Sequence, residues 1–203
     1  TMLLASPRLE RVDTIEIEPA MVEGARRFQP VVDAAFNDPR SKIVIDDAKS
    51  YFARGRNRYD IIVSEPSNPW VSGVAALFTE EFYRRLAEYL NEGGVLSQWL
   101  HTYEMDAATL ASILNALSRT FPEFLVYTSI DSDIVVIARK GGDPGTFDAR
   151  VMQFDRMKAM LERLKMTEVE NINRRSVGRW STLRPFFASY GAAVNSDFFP
   201  IVD

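Results

Sequence analysis

Tyr59-Asp60-Ile61-Ile62-Val63-Ser64-Glu65-Pro66-Ser67-Asn68-Pro69-Trp70 opens as a short apolar strand, ends that strand on a carboxylate and continues into a turn with two prolines. A glycine-containing loop then leads to Leu77-Phe78-Thr79-Glu80-Glu81-Phe82-Tyr83, the start of an amphipathic helix. In open α/β sheets ligands bind in the crevice beyond the carboxyl ends of the strands, so Glu65 is expected to face a ligand.

Outward from this unit the chain alternates strands with helices. Val12–Ile17 reads as a strand ending near Glu16 and Glu18, and Pro19 opens a helix over 20–28. Lys42–Ile45 is a strand, followed by a helix over 48–54. Phe78, Phe82, Leu86 and Leu90 recur at helical spacing before Glu92-Gly93-Gly94 stops the pattern. Val95–Leu100 is the next strand and Ala107–Phe121 the next helix. Phe124–Tyr127 and Ile134–Ala138 read as an antiparallel pair at one sheet edge, separated by Asp131-Ser132-Asp133. After the glycine-rich linker 140–145, Phe147–Lys165 reads as an amphipathic helix and Ser176–Tyr190 as a helix broken at Pro185.

This order predicts an α/β fold, a mainly parallel sheet with helices on both faces. Such folds begin with a strand and a glycine-rich turn that approaches a cofactor closely. Here Thr1-Met2-Leu3-Leu4-Ala5-Ser6-Pro7 reads instead as the tail of the helix that follows that turn. The first strand and the turn are therefore expected to lie outside this chain, which is expected to be a fragment. The expected organisation is a nucleoside-binding catalytic domain over 1–140 and a helical extension over 141–203 packed on it.

The central stretch resembles the spermidine synthases (aminopropyltransferases), which carry Y-D-V-I-x-x-D-x-x-D-P before L-F-x-x-E-F-Y. Tyr59, Asp60, Pro69, Leu77, Phe78, Glu81, Phe82 and Tyr83 carry the match. The resemblance implies a methyltransferase-like Rossmann fold, and it covers Val12–Lys140 well. Glu65 falls on the family's first motif aspartate and Asn68 on its second. The family's P-T-Y-P-S-G loop is absent, because Tyr127-Thr128-Ser129-Ile130 runs straight into Asp131. Asn195-Ser196-Asp197-Phe198-Phe199-Pro200 resembles the N-T-D-x-x-P ending of a bacterial subgroup, in which such a domain is joined to an N-terminal membrane region.

The resemblance assigns roles to particular residues. Ile15-Glu16-Ile17-Glu18 matches V-E-I-D, placing Glu16 on the acid that binds both ribose hydroxyls, a charge-assisted bidentate contact. Asp47-Ala48 matches D-A, whose aspartate accepts from the adenine amino group; a helix cap at Asp47 is the plainer alternative. Glu65 becomes the base that takes a proton from the acceptor amine. It is one methylene longer than aspartate, which moves the carboxylate by roughly 1.5 Å. Asn68 keeps hydrogen-bonding capacity without the anion, which weakens a bound ammonium by on the order of 1 kcal/mol. Gln98 matches the glutamine that lines the amine pocket, against the alternative of a buried amide satisfied by backbone. Trp70 and Trp99 flank the crevice, where they would wall an alkyl chain or a cation, core packing being the alternative for each.

Composition narrows the choice. The chain has 203 residues, 46% hydrophobic and 26% charged, enough for a sizeable core. Absent cysteine excludes disulfides and thiolate metal sites, and His101, the only histidine, is expected to build no catalytic dyad or histidine metal cluster and to be structural. A net charge of −4 gives no electrostatic reason to expect nucleic acid. No run approaches the roughly 18 apolar residues that span a bilayer, so no membrane contact is expected of this segment itself. The resulting expectation is a cytoplasmic, homodimeric transferase domain. It would use S-adenosylmethionine or its decarboxylated form as co-substrate, with a small amine as acceptor, no permanent cofactor and no metal. Methyl transfer, or a non-catalytic nucleotide-sensing domain of a membrane protein, stays open.

Overall fold

The computed structural model describes residues 1–55, 57–67, 71, 73–129 and 132–202. Along the chain run β1 (Val12–Glu16), α1 (Pro19–Ala25), α2 (Asp33–Asn37), β2 (Ser41–Ile45), α3 (Ala48–Arg54), β3 (Tyr59–Ser64), α4 (Glu80–Tyr89), β4 (Leu90–His101) and α5 (Ala107–Thr120). They are followed by β5 (Phe124–Thr128), β6 (Asp133–Arg139), α6 (Asp155–Arg163), α7 (Val169–Asn173), β7 (Ser176–Arg179) and α8 (Trp180–Ala188). The chain divides into two compact units, Thr1–Gly55 with Thr146–Asn173, and Arg56–Gly145 with Arg174–Asp203. The residues beyond Lys140 are thus shared between both.

In the first unit β1 and β2 pair in parallel from Val12 opposite Ser41 to Glu16 opposite Ile45. Pro19 stands at the first turn of α1, where its missing N–H costs nothing, and the Glu18 carboxylate accepts from Ala20 N at 2.9 Å. Arg40 fixes the amino-terminal segment. Its guanidinium donates to the carbonyls of Leu4 (2.7 Å), Ser6 (2.9 Å) and Leu9 (3.1 Å). The same group meets Asp38 at 2.7 Å, and this hydrogen bond holds the Asp38 carboxyl well below the usual carboxylate range.

The second unit carries a five-stranded sheet in the order β3-β4-β6-β5-β7. Only β3 and β4 are parallel; β4–β6, β6–β5 and β5–β7 are antiparallel. Leu96 and Leu100 of β4, Val136 and Ala138 of β6 and Phe124 of β5 are buried, as are Phe82, Tyr83 and Leu86 of α4 and Ile113, Leu114 and Leu117 of α5. Each large side chain so buried is worth roughly 1.5–3 kcal/mol. Both helices begin on a side-chain cap: Thr79 accepts from Phe82 N at 3.3 Å and Asp106 from Thr109 N at 2.7 Å.

Some expectations change. The strand read as starting at Val95 already begins at Leu90, and the pairing jumps from Tyr59–Leu90 to Ile61–Val95. The intervening residues form a bulge in which Gly93 has φ +76° and a Cβ on Gly94 would lie 2.9 Å from Asn91 O. Ser176–Arg179, expected to be helical, is β7, so the β5–β6 pair is not the sheet edge. Pro185 lies inside α8 without ending it, because Trp180 stacks on Phe124 at 5.0 Å and Phe187 is buried. The helix expected over Phe147–Lys165 is interrupted: a 3₁₀ turn spans Ala149–Gln153, and Phe154 is extended at φ −69°, ψ 126° before α6 starts.

Candidate active site

In the first unit Glu16 ends β1 and Asp47 follows β2, so both carboxylates stand at the carboxyl edge of one parallel pair. The edge is knit by Asp46 N donating to Glu16 O at 3.0 Å. Glu16 Oε1 accepts from Glu18 N at 2.9 Å, which folds the turn after β1 back onto the strand-end acid. Asp47 Oδ2 accepts from Ser50 N at 2.7 Å and caps α3, while Asp46 pairs with Arg54. The capping role of Asp47 is therefore occupied by one oxygen, and a carboxylate carries a second acceptor oxygen for a ligand. Ala48 opens α3, behind that cap.

In the second unit Glu65 leaves the end of β3 and lines an open cleft of about 590 Å³ with Pro66, Ser67, Trp99, His101, Ser129 and Val135. The strand pleat explains the membership: Trp99 and His101 alternate with the buried Gln98 and Leu100, and so share the other face of β4. Trp99 and His101 pack edge-on with ring centroids 4.2 Å apart. Gln98 lies on the buried face with no exposed surface. Its Nε2 donates to Ser64 O at 3.3 Å and to Trp99 O at 2.9 Å. It thereby holds the residue just before Glu65. Asn68 and Trp70 lie outside the described residues.

Two residues given no functional role by the sequence reading meet at this cleft. His101 Nδ1 lies directly against Asp133 Oδ1, the aspartate side chain being buried. Asp133 had read as a turn residue. The strand register that sets it directly opposite His101 is a long-range pairing without a local signal. Among the described residues no group of three His, Asp or Glu side chains is placed to hold a metal. A second cleft, about 550 Å³ in the first unit, is lined by Leu4, Pro7, Arg40, Phe154 and Arg156 among others, but its Arg40 is already engaged by backbone and Asp38.

The fold and the strand-end acids define a methyltransferase-like α/β protein. A human methyltransferase-like protein 13 in complex with SAH superposes with a TM-score of 0.54 at 20% identity, over 75% of this chain and 71% of that one, a likeness of fold. The match to a particular family is closer: the Spermine/spermidine synthase domain model covers residues 3–131, and the chain belongs to that family. It is 28% identical over 153 residues to a polyamine aminopropyltransferase of Thermoanaerobacter sp. (strain X514), covering 75% of this chain and 53% of that enzyme. The structure of a spermidine synthase in complex with the transition state analogue AdoDATO gives a TM-score of 0.65 at 28% identity, covering 75% and 55%. The chain thus spans about half the length of these relatives.

Proposed function

We propose that the complete protein is a transferase that binds decarboxylated S-adenosylmethionine, or S-adenosylmethionine itself, and moves an aminopropyl group to a small amine. The observation that carries this reading is the cleft at the end of β3, which Glu65 and Trp99 both line. A carboxylate beside an aromatic face suits an alkylammonium, by charge and by cation–π attraction. Glu16 and Asp47 are assigned to the ribose and adenine, with Ala48 offering its backbone N–H, and Asn68 to the amine; family membership supports each assignment. Gln98 acts from beneath, by holding the strand end that carries Glu65.

In the reaction the amine nitrogen attacks the propyl carbon bonded to the sulfonium sulfur. A C–N bond forms, the C–S bond breaks with its electron pair going to sulfur, and 5′-methylthioadenosine leaves as a neutral thioether. The ammonium formed loses a proton, which the Glu65 carboxylate accepts. Two copies acting together in the cytoplasm, and a membrane region elsewhere in the parent protein, belong to the same family-based reading.

The test is turnover of the complete protein with decarboxylated S-adenosylmethionine across a panel of diamines and polyamines, alongside calorimetry with 5′-methylthioadenosine. Glu65→Gln keeps shape and hydrogen bonding but cannot take the proton. It is expected to lower turnover by on the order of 10²–10⁴ while nucleoside binding persists. Unchanged turnover removes Glu65 as base. Methylation of the amine from intact S-adenosylmethionine assigns methyl transfer instead, and tight nucleoside binding with no transfer of either group assigns a sensor.

A further inference from the structure

We propose that His101, oriented by Asp133, is the exit for the proton that leaves the acceptor amine; this rests on the transferase reading above. His101 is the single histidine of the chain. It lines the same cleft as Glu65 and keeps about a quarter of its side chain exposed, whereas Asp133 is 7% exposed. The two residues are direct partners across the β4–β6 ladder, which brings their side chains together on one face. Nδ1 of His101 and Oδ1 of Asp133 are both buried atoms in direct contact, and among the described residues neither makes a hydrogen bond of good geometry.

The arrangement is tied down from several sides. Thr102 N and Oγ1 both donate to Ser132 O, at 2.8 and 2.9 Å. Ser129 N donates to Asp133 O at 2.9 Å. The imidazole is clamped between Trp99 at 4.2 Å and Tyr103 at 5.0 Å, both edge-on. Among the described residues, the titratable and charged groups set about it are Asp133 of β6, Glu65 after β3, Tyr103 after β4, and Arg175, whose guanidinium binds Ser129 O.

In the proposed scheme the negative charge of the carboxylate against Nδ1 favours the tautomer with the proton on Nδ1 and the lone pair on Nε2. Glu65, once protonated by the amine, passes its proton across the cleft to Nε2, directly or through water. The imidazolium formed is stabilised by Asp133 and releases the proton to solvent through its exposed edge. The carboxylate is thereby regenerated for the next amine. Asp133 is a positioning residue in this scheme.

Two measurements decide it. The first is the pH profile of kcat in the complete protein, with His101→Gln, His101→Ala and Asp133→Asn. His101→Gln is expected to lower kcat at least tenfold and to remove the limb of the profile that falls towards acid. Added imidazole is expected to restore activity to His101→Ala, which a purely structural histidine would not permit. An unchanged profile in His101→Gln, or no rescue by imidazole, overturns the proposal. The second is ¹⁵N NMR of the imidazole, assigned by the signal lost in His101→Gln. The Nδ1–H tautomer in the wild type, its loss in Asp133→Asn and a shift of Nε2 on adding spermidine support the pair. An Nε2–H tautomer, or an Nε2 signal indifferent to spermidine, overturns it. If the wild type transfers neither aminopropyl nor methyl groups, the functional reading fails and the NMR arm still decides whether the cleft presents Nε2 to a polyamine.

Discussion

Gln98 Nε2 donates to Ser64 O at 3.3 Å, tying the buried middle of β4 to the last residue of β3. Glu65 follows immediately, so the direction in which the proposed base leaves the sheet depends on an amide that does not itself reach the cleft. This is how a buried residue can matter to chemistry without touching a substrate.

Gln98→Leu and Gln98→Glu separate the two sides of that amide. Leucine forfeits two hydrogen bonds but also removes Oε1, which is buried without a partner. Its expected cost is about 1–2 kcal/mol. Glutamate would set a carboxylate against two backbone carbonyls in the core, and is expected to cost at least about 2 kcal/mol more at neutral pH. Urea denaturation of both variants measures the difference. A glutamate variant as stable as the leucine variant would show that the side chain has turned away from Ser64.

The acid limb of stability should depend on Asp38. Its folded carboxyl is held below the ordinary value of 3.8 by the hydrogen bond from Arg40, with Arg156 also near at 3.7 Å. A depressed folded pKa gives stability that is fully present above the unfolded value and is lost as pH falls through the folded one. The stability gap between wild type and Asp38→Asn is thus expected to be widest near neutrality and to shrink as the pH drops below about 4. Thermal melts across that range read it out. A gap that grows towards acid would contradict the sign.

Much of the α/β frame was legible because it is written locally. Asp47 at the head of Ala48–Arg54 and Thr79 ahead of Phe82 and Leu86 are caps next to apolar periodicity, and the helices start there. The strand-end positions of Glu16, Asp47 and Glu65 were legible because strand ends are local features too. What was missed depends on distant partners. Ser176–Arg179 carries a weak pattern and becomes β7 only by pairing with β5. His101 looked solitary because Asp133 meets it only through the long-range pairing of β4 with β6. Pro185 was read as a breaker, whereas stacking of Trp180 on Phe124 outweighs the one backbone bond it removes.

The carboxyl-terminal Asn195-Ser196-Asp197 has a structural role of its own. Asn195 is fully buried; its Nδ2 donates to Phe78 O at 3.0 Å and its Oδ1 accepts from Ile201 N at 3.0 Å. Its backbone carbonyl accepts from Glu80 N at 3.0 Å, satisfying one of the free donors that open α4. Beside it Ser196 Oγ and Asp197 N both donate to the Glu81 carboxylate at 2.9 Å. Burial pushes the Glu81 carboxyl up, but these donors win and leave it below its usual value. Asn195→Ala would leave buried Phe78 O without its side-chain donor and Ile201 N to the solvent, at an expected cost of about 1–3 kcal/mol. Asn195→Asp keeps the acceptor for Ile201 and loses only the donor to Phe78, but sets an anion against that carbonyl. It is therefore expected to recover part of the loss only when acid protonates the new carboxyl. Hydrogen exchange locates the effect: the amides of Glu80 and Phe82 should exchange faster in Asn195→Ala, while those of β1 and β2 stay as in the wild type. Unchanged protection at the start of α4 would mean that Thr79 alone suffices to cap it.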